Sequence, residues 1–225
     1  MILDLFSLKG KTAIVTGGEG LLGRIIVQTV MELGGNPISV DLAPTATRVL
    51  DITDGKAVSE AAESTPPVDI LVNCAIGNQK PVRDAAEGFG ADLNIGLVGA
   101  LNMTAAFGSK MQKGVILNIG SDLSFVAPDW NLYPPGLAKP VSYSVVKHGI
   151  IGMTRYFAAL WGHRGIRVNC LCPGSINQGQ AIPRSPLNRL AEASEMKGPV
   201  AFLISDASTF MTGASLTVDG GRSCL

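Results

Sequence analysis

The 225-residue sequence has no excess of either charge: 18 Lys and Arg face 18 Asp and Glu, and charged residues make up only 16%. Without a basic stripe, nucleic acid is not an expected partner, because binding to a phosphate backbone draws on clustered Lys and Arg. Hydrophobic residues reach 46%, yet no uninterrupted apolar stretch has membrane-spanning length, so no membrane partner is expected either. The opening run Met1-Ile-Leu-Asp-Leu-Phe-Ser-Leu-Lys9 lacks the basic n-region and long apolar core of a signal peptide. Cysteine is sparse: Cys74, Cys170, Cys172 and Cys224 show neither metal spacing nor a Cys-x-x-Cys pair. Cys170 and Cys172 alternate with Leu171, share one strand face and are expected to pack as small hydrophobes. A reducing cytoplasm is the expected location. His148 and His163 stand too isolated to suggest a metal, and no internal repeat or low-complexity segment is present.

What the chain does have is alternation. Apolar runs predict strands at 12–16, 37–41, 48–50, 69–74, 114–119, 166–171 and 214–218. Between them, helical spacing predicts helices at 20–33, 55–63, 92–111, 142–161 and 196–205. This order implies one α/β domain over 1–225, a Rossmann-like doubly wound parallel sheet with helices on both faces. The length suffices for one sizeable core.

The first strand, Thr12-Ala-Ile-Val-Thr16, leads into Gly17-Gly-Glu-Gly-Leu-Leu-Gly23, and a helical pattern follows. Strand, glycine loop and helix in that order suit a dinucleotide. The glycines let the backbone approach a pyrophosphate, and the helix start supplies free N–H groups and partial positive charge. Gly17, Glu19, Gly20, Leu21, Leu22 and Gly23 are therefore cofactor candidates. Asp41 ends the next strand, about 20 residues on, where a carboxylate accepts hydrogen bonds from ribose hydroxyls and repels a 2′-phosphate. No Lys or Arg follows it closely, which favours NAD over NADP. A simple strand-end turn residue is the other reading of Asp41.

Tyr143 and Lys147, in Pro140-Val-Ser-Tyr-Ser-Val-Val-Lys-His148, lie one helical turn apart on one face. A phenol titrates near ~10 in water, and a neighbouring ammonium is expected to lower that value and make Tyr143 a proton shuttle. An ordinary amphipathic helix would account for the pair taken alone. Ser121, at the end of the strand Gly114-Val-Ile-Leu-Asn-Ile-Gly120, stands where doubly wound sheets bind ligands and is positioned to donate to a substrate oxygen.

Together these motifs, from about Leu8 to Gly221, resemble a short-chain dehydrogenase/reductase of the compact single-domain kind. Thr16-Gly-Gly-Glu-Gly-Leu-Leu-Gly23 resembles that family's cofactor loop, and Asp51-Ile52 its adenine contact. Asn73-Cys-Ala75-Ile sits where the family has an Asn-Asn-Ala-Gly strand end. Asn94 resembles the helix Asn that holds a proton-relay water, and Ser121, Tyr143 and Lys147 complete the resemblance to a catalytic tetrad. Pro173-Gly174, with Ile176 just beyond, resembles the turn beside the nicotinamide. The resemblance implies an NAD-dependent oxidoreductase that interconverts a secondary alcohol and a ketone, with Tyr143 as general acid–base. It implies that Lys147 lowers the Tyr143 pKa and binds the nicotinamide ribose, while Ser121 polarises the substrate oxygen. It also implies a small-molecule substrate and a homodimer or homotetramer, with Leu101, Met103, Ile150, Met153 and Trp161 on the faces that meet.

There are departures. The loop reads Gly-x-x-Gly-x-x-Gly, which resembles the longer two-domain branch of the superfamily, but the chain has no room for that branch's extra domain. Cys74 and Ile76 replace an Asn and a Gly. The Thr expected after Pro-Gly is absent, and Asn177 or Gln178 is the candidate to replace it. The stretch from Ser121 to Tyr143 is long, while the segment after Gly174 is short. The substrate site is therefore expected between loops 122–140 and 175–195, with Asp129-Trp-Asn-Leu-Tyr133 forming part of the wall, or else a surface loop. Tyr133 is a rival phenol, but no Lys follows it at helical spacing. The run Lys139-Pro-Val-Ser-Tyr-Ser-Val-Val-Lys-His-Gly-Ile-Ile-Gly152 and the ending Val218-Asp-Gly-Gly-Arg-Ser223 resemble a subgroup linked to bacterial surface-sugar and flagellin-glycan modification, which points to a sugar or nucleotide sugar. Two other classes stay open: a non-catalytic NAD-binding regulatory protein, and a sugar epimerase or dehydratase that retains NAD.

Overall fold

A computed structural model of the chain describes residues 1–77, 80–182 and 184–225. Pro183, within the expected substrate loop 175–195, lies outside the described residues. Seven strands form one parallel sheet: β1 (Thr12–Thr16), β2 (Asn36–Asp41), β3 (Arg48–Val49), β4 (Ile70–Asn73), β5 (Gly114–Ile119), β6 (Ile166–Pro173) and β7 (Ser215–Val218). Their order is β3-β2-β1-β4-β5-β6-β7, so the winding reverses between β1 and β4. Crevices at the C-terminal strand ends beside such a reversal are where open α/β sheets bind ligands.

The strands are short runs of apolar residues because both faces of the sheet are covered. Alternation sends successive side chains to opposite layers. Ile14, Leu71, Ile116 and Val168 pack with Met103, Phe107 and Trp161 on one side. Ala13, Val15, Leu117 and Leu171 pack with Ile26, Val30, Val200 and Leu203 on the other. The first side is built by α2 (Gly55–Ser64), a long helix over 89–108 and α5 (Val141–Trp161); the second by α1 (Leu21–Glu32) and α6 (Lys197–Ile204).

The long helix is not regular. It starts at Phe89, three residues before the sequence-based expectation, after Gly88 in the left-handed region at φ 70°. Two α-helical pieces, α3 (Phe89–Leu93) and α4 (Ala100–Met103), alternate with π-helical turns at Asn94–Gly99 and Thr104–Gly108. Such wide turns mark places where side chains are re-aimed, often at functional sites.

The expected subunit-facing residues need correction. Met103, Ile150 and Trp161 are buried in the chain's own core, and Met153 packs partly against it. Of the five, Leu101 is exposed; the other exposed apolar residues on these two helices include Val98, Val145, Tyr156 and Leu160.

Candidate active site

The glycine loop is built for close approach. A Cβ on Gly23 would lie 2.0 Å from the Gly17 carbonyl oxygen, and one on Gly18 would lie 2.5 Å from the Ser39 Cβ. Gly17 adopts φ +64° and packs against the Ala75 backbone, a conformation and a distance that only glycine meets without strain. Gly20 caps α1 without a side-chain hydrogen bond, so the first N–H groups of that helix, at Leu21 and Leu22, keep their anion-binding capacity. These residues fit a pyrophosphate.

Beside the loop, at the C-terminal end of β2, stand two carboxylates. The Glu19 amide donates to Asp41 Oδ2 at 3.1 Å, and Ala43 N donates to Asp41 Oδ1 at 3.2 Å. The Glu19 carboxylate accepts from Ser39 Oγ at 3.0 Å and from Thr45 Oγ1 at 3.1 Å. Arg24 reaches the same carboxylate at 3.7 Å. Asp51 is exposed and accepts from its neighbour Thr53, while Ile52 is buried against Gly99.

Asn73 sits inside a buried polar chain. Its Nδ2 donates to Thr104 Oγ1 at 2.9 Å and to Asn118 Oδ1 at 2.8 Å, and Asn118 donates onward to Thr154 at 2.9 Å. The Asn73 Oδ1 has no partner among the described residues. Cys74 and Ala75 present their amides to Thr16 Oγ1, which fixes the strand end beside Gly17.

The catalytic candidates meet at the C-terminal end of β5. Ser121 donates to Asp122 Oδ1 at 2.8 Å, and Lys147 Nζ donates to the Ile119 carbonyl at 2.7 Å. The Lys147 ammonium lies 5.6 Å from the Tyr143 ring centroid. Two further contacts tie the α5 helix down. Ser124 Oγ donates to the Lys147 carbonyl at 2.9 Å, and Ser142 Oγ donates to the buried Asp92 carboxylate at 2.6 Å. Gly96 lets α5 approach closely, since a Cβ there would lie 2.5 Å from Val146.

The expected fall in the Tyr143 pKa is corrected. Burial pushes the phenol up to about 12; the Ser121 hydroxyl opposes this, while Asp122, Tyr133 and Cys74 add to it. The physical reason is desolvation together with a carboxylate next door, whereas Lys147 is spent on a backbone carbonyl. Burial also holds Lys147 below the usual lysine range. Asn94 is exposed at the start of its π-helical turn, and its side chain has no hydrogen bond among the described residues.

Over Ser121 and Tyr143 folds the segment 122–140. Trp130–Leu132 forms a 3₁₀ turn capped by Asp129, and Trp130 and Tyr133 sit 6.1 Å apart. Its end is anchored by reciprocal hydrogen bonds between Ala138 and Val82, both 2.9 Å. Burial raises the Tyr133 pKa, opposed by Arg222, with Asp122 and Asp129 adding to the rise, so its phenol belongs to the same cluster. Arg222 donates to Asp122 Oδ2 at 2.6 Å and to the Ala127 carbonyl at 3.2 Å. Beyond Pro173 and Gly174, the segment around Ile176 folds back on itself: Asn177 N donates to the Ala191 carbonyl and Ala191 N to Ser175. The Asn177 side chain donates to Glu192 at 3.0 Å, and Gln178 is exposed.

Four positioning residues escaped sequence reasoning: Asp92, Ser124, Asp122 and Arg222. Only Ser124 left a local signal, the Ser121-x-x-Ser124 spacing of a capping box. A separate cleft of about 570 Å³, lined by Lys11, Asp69, Arg167 and Phe210 among others, opens at the opposite, N-terminal ends of the strands. None of the catalytic candidates lies there. Cys170 and Cys172 are buried 3.6 Å apart, as small core residues. Among the described residues no His, Cys, Asp and Glu cluster could hold a metal, and no helix is long and apolar enough to cross a membrane.

A parallel sheet wound this way, with a glycine cradle and a Ser-Tyr-Lys cluster at its C-terminal edge, defines a dinucleotide-dependent oxidoreductase. The family model described as Enoyl-(Acyl carrier protein) reductase matches residues 37–223. The D-threitol dehydrogenase of Mycolicibacterium smegmatis is 29% identical, covering 96% of this chain and 94% of its own. The 2-dehydro-3-deoxy-D-gluconate 5-dehydrogenase of Bacillus subtilis is 32% identical, with 97% and 96% covered. Among solved structures, a short chain dehydrogenase from Leptospira borgpetersenii with bound NAD+ superposes with TM-score 0.87 at 29% identity, covering 96% of this chain and 94% of that one. A gluconate 5-dehydrogenase from Burkholderia cenocepacia in complex with NADP and tartrate gives TM-score 0.88 at 25% identity, with both chains fully covered. This chain belongs to the short-chain dehydrogenase/reductase family. The two alignments with curated relatives run over 253 and 254 positions against 225 residues, so the relatives carry sequence that this chain lacks.

Proposed function

We propose that this chain is an NAD(H)-dependent oxidoreductase interconverting a secondary alcohol and a ketone on a sugar-like substrate, with Tyr143 as general acid–base. The observation that carries this reading is the placement of the Ser121 turn and the Tyr143 helix at the same strand ends as the glycine cradle. The relatives named for threitol and for a deoxygluconate support a polyhydroxylated substrate.

Bound in the cradle of Gly17 to Gly23, the nicotinamide group would supply the hydride chemistry. The chain's own residues do the rest. Tyr143, held protonated at neutral pH, donates its proton to the developing alkoxide as a ketone is reduced; in oxidation the phenol first releases its own proton to solvent and the phenolate then takes the alcohol's. Ser121 holds the substrate oxygen, and Lys147 holds the nicotinamide ribose while its bond to Ile119 fixes its direction. Asn94 is the proposed site of a relay water. Pro173, Gly174 and Ile176 would border the nicotinamide, and loops 122–140 and 175–195 the substrate. The Glu19–Asp41 carboxylate pair supports NAD, because a 2′-phosphate there would meet two negative charges. The exposed Val145, Tyr156 and Leu160 repeat on one face of α5 and support a homo-oligomer.

The test is a screen of sugars, sugar acids, nucleotide sugars and secondary alcohols for NADH and NADPH formation by absorbance. Turnover with NAD+ that Tyr143→Phe reduces by about 10²-fold or more, with cofactor affinity retained, is the expected result. Turnover that survives in Tyr143→Phe would overturn it.

A further inference from the structure

Ser121 gives its hydroxyl proton to Asp122. Its Oγ lies 2.8 Å from Asp122 Oδ1, and an ionised carboxylate carries acceptors only, so the serine is the donor. Asp122 is buried and held from two other sides. Arg222 Nη1 donates to Oδ2 at 2.6 Å, and the Leu123 amide donates to Oδ1 at 2.8 Å. With the guanidinium on one oxygen and the amide on the other, Ser121 faces a fixed acceptor.

A hydroxyl has one proton and two lone pairs. At Ser121 the proton goes to Asp122, and the Leu123 amide also reaches Oγ at 3.2 Å and draws on one lone pair. The second lone pair remains, and the Tyr143 phenol lies within hydrogen-bond reach of the same oxygen. Turning the proton towards a neutral substrate oxygen would give up a charge-assisted bond for one about half as strong. In a buried turn that exchange is unfavourable. Ser121 therefore offers the substrate an acceptor, where a carbonyl needs a donor.

We infer that Asp122 is a positioning residue that makes Ser121 an acceptor towards the substrate, so that at neutral pH the site binds a secondary alcohol more tightly than the matching ketone. The inference rests on the reading of this site as an alcohol–ketone oxidoreductase. With an alcohol bound, three O–H donors point one way: Tyr143 to the carbinol oxygen, the carbinol to Ser121 Oγ, and Ser121 to Asp122. Each bond polarises the next, and the chain ends on a carboxylate that Arg222 holds. A ketone oxygen still accepts from Tyr143. It has no proton to give Ser121, and it meets a lone pair there.

The experiment loads the full chain at neutral pH with tetrahydro-NAD, a reduced-cofactor analogue that transfers no hydride, so both ligands meet the same unreactive complex. Calorimetric titration with D-threitol, and with D-erythrulose, the ketone of its inner carbinols, gives two dissociation constants. D-threitol is expected to bind about fivefold or more tighter, the scale of one hydrogen bond. Ser121→Ala is expected to weaken D-threitol by about that factor and leave D-erythrulose nearly unchanged. Asp122→Asn combined with Arg222→Met removes the carboxylate together with its cation and frees the Ser121 proton; D-erythrulose gains and the ratio falls towards one. A role confined to packing would move both affinities together. Affinity for tetrahydro-NAD reports that the variants are folded. Equal binding of the two ligands, tighter binding of D-erythrulose or no binding of either would overturn the inference. So would a Ser121→Ala loss shared by the ketone, or a ratio unmoved in the double variant. Failure of the underlying reading looks different: tetrahydro-NAD itself then fails to bind.

Discussion

Arg222 places Nη1 2.6 Å from Oδ2 of Asp122, a hundred residues earlier in the chain, and both side chains are nearly inaccessible. Asp122 follows Ser121, so the strand that ends at Val218 is clamped to the turn that carries a proposed catalytic hydroxyl. A second bond from Arg222 to the Ala127 carbonyl extends the clamp to the segment over the site.

Breaking this pair from one side leaves a buried charge without its partner. Arg222→Met is expected to destabilise the fold by about 3–5 kcal/mol in urea denaturation, the usual scale for such a loss. Asp122→Asn combined with Arg222→Met removes both charges and is expected to recover much of it. A double variant no more stable than Arg222→Met would show that the charge pair is not what the clamp contributes.

The glycine loop gives a graded prediction. A methyl on Gly23 would overlap the Gly17 carbonyl at 2.0 Å, whereas one on Gly20 meets the same oxygen at 3.2 Å. Gly23→Ala is therefore expected to abolish measurable dinucleotide binding by displacing the turn, and Gly20→Ala to weaken it far less. Fluorescence titration with NADH distinguishes them; equal affinities would mean that the loop relaxes freely.

Most of this architecture was legible in the sequence because its signals are local. A buried parallel strand is a short apolar run, the tight turn after β1 is written in adjacent glycines, and Tyr143 and Lys147 are one turn apart. What stayed hidden depends on residues that meet only after folding. Ser142 binds Asp92 across 50 residues, Ser124 binds the Lys147 carbonyl across 23, and Arg222 binds Asp122 across 100. The same distance explains the wrong sign for Tyr143. Spacing shows that an ammonium is near, but not that burial and Asp122 outweigh it. The apolar residues assigned to subunit contacts failed for a related reason: helical period marks a buried face without saying whether the chain's own sheet or a second copy covers it.

Cofactor choice follows from Glu19 and Asp41. A 2′-phosphate at about 4 Å from a carboxylate is repelled by on the order of 4 kcal/mol at a partly exposed site, before salt screening. Asp41→Ser with Glu19→Gln is expected to raise kcat/KM with NADP+ relative to NAD+ by about tenfold or more. The gain should shrink as salt is raised. A ratio that does not move would place the ribose elsewhere.

Lys139 gives a pH dependence whose sign can be worked out. Its folded pKa is pulled down to about 8, against ~10.4 for an unfolded lysine. Below pH ~8 both states hold the proton, and the folded state bears the full cost of the buried charge. Between pH ~8 and ~10 the folded chain has released a proton that the unfolded chain still holds, so this group makes stability rise with pH. Tyr143, raised to about 12, acts oppositely and only above pH ~10, where the folded chain keeps a proton that the unfolded chain loses. Lys139→Met removes the first effect and leaves the second. In urea denaturation its stability relative to the parent is therefore expected to be most favourable near pH 7 and to decline steadily by pH 9.5. A difference that stays constant over that range would mean that Lys139 keeps an ordinary lysine pKa beside the Tyr143 ring.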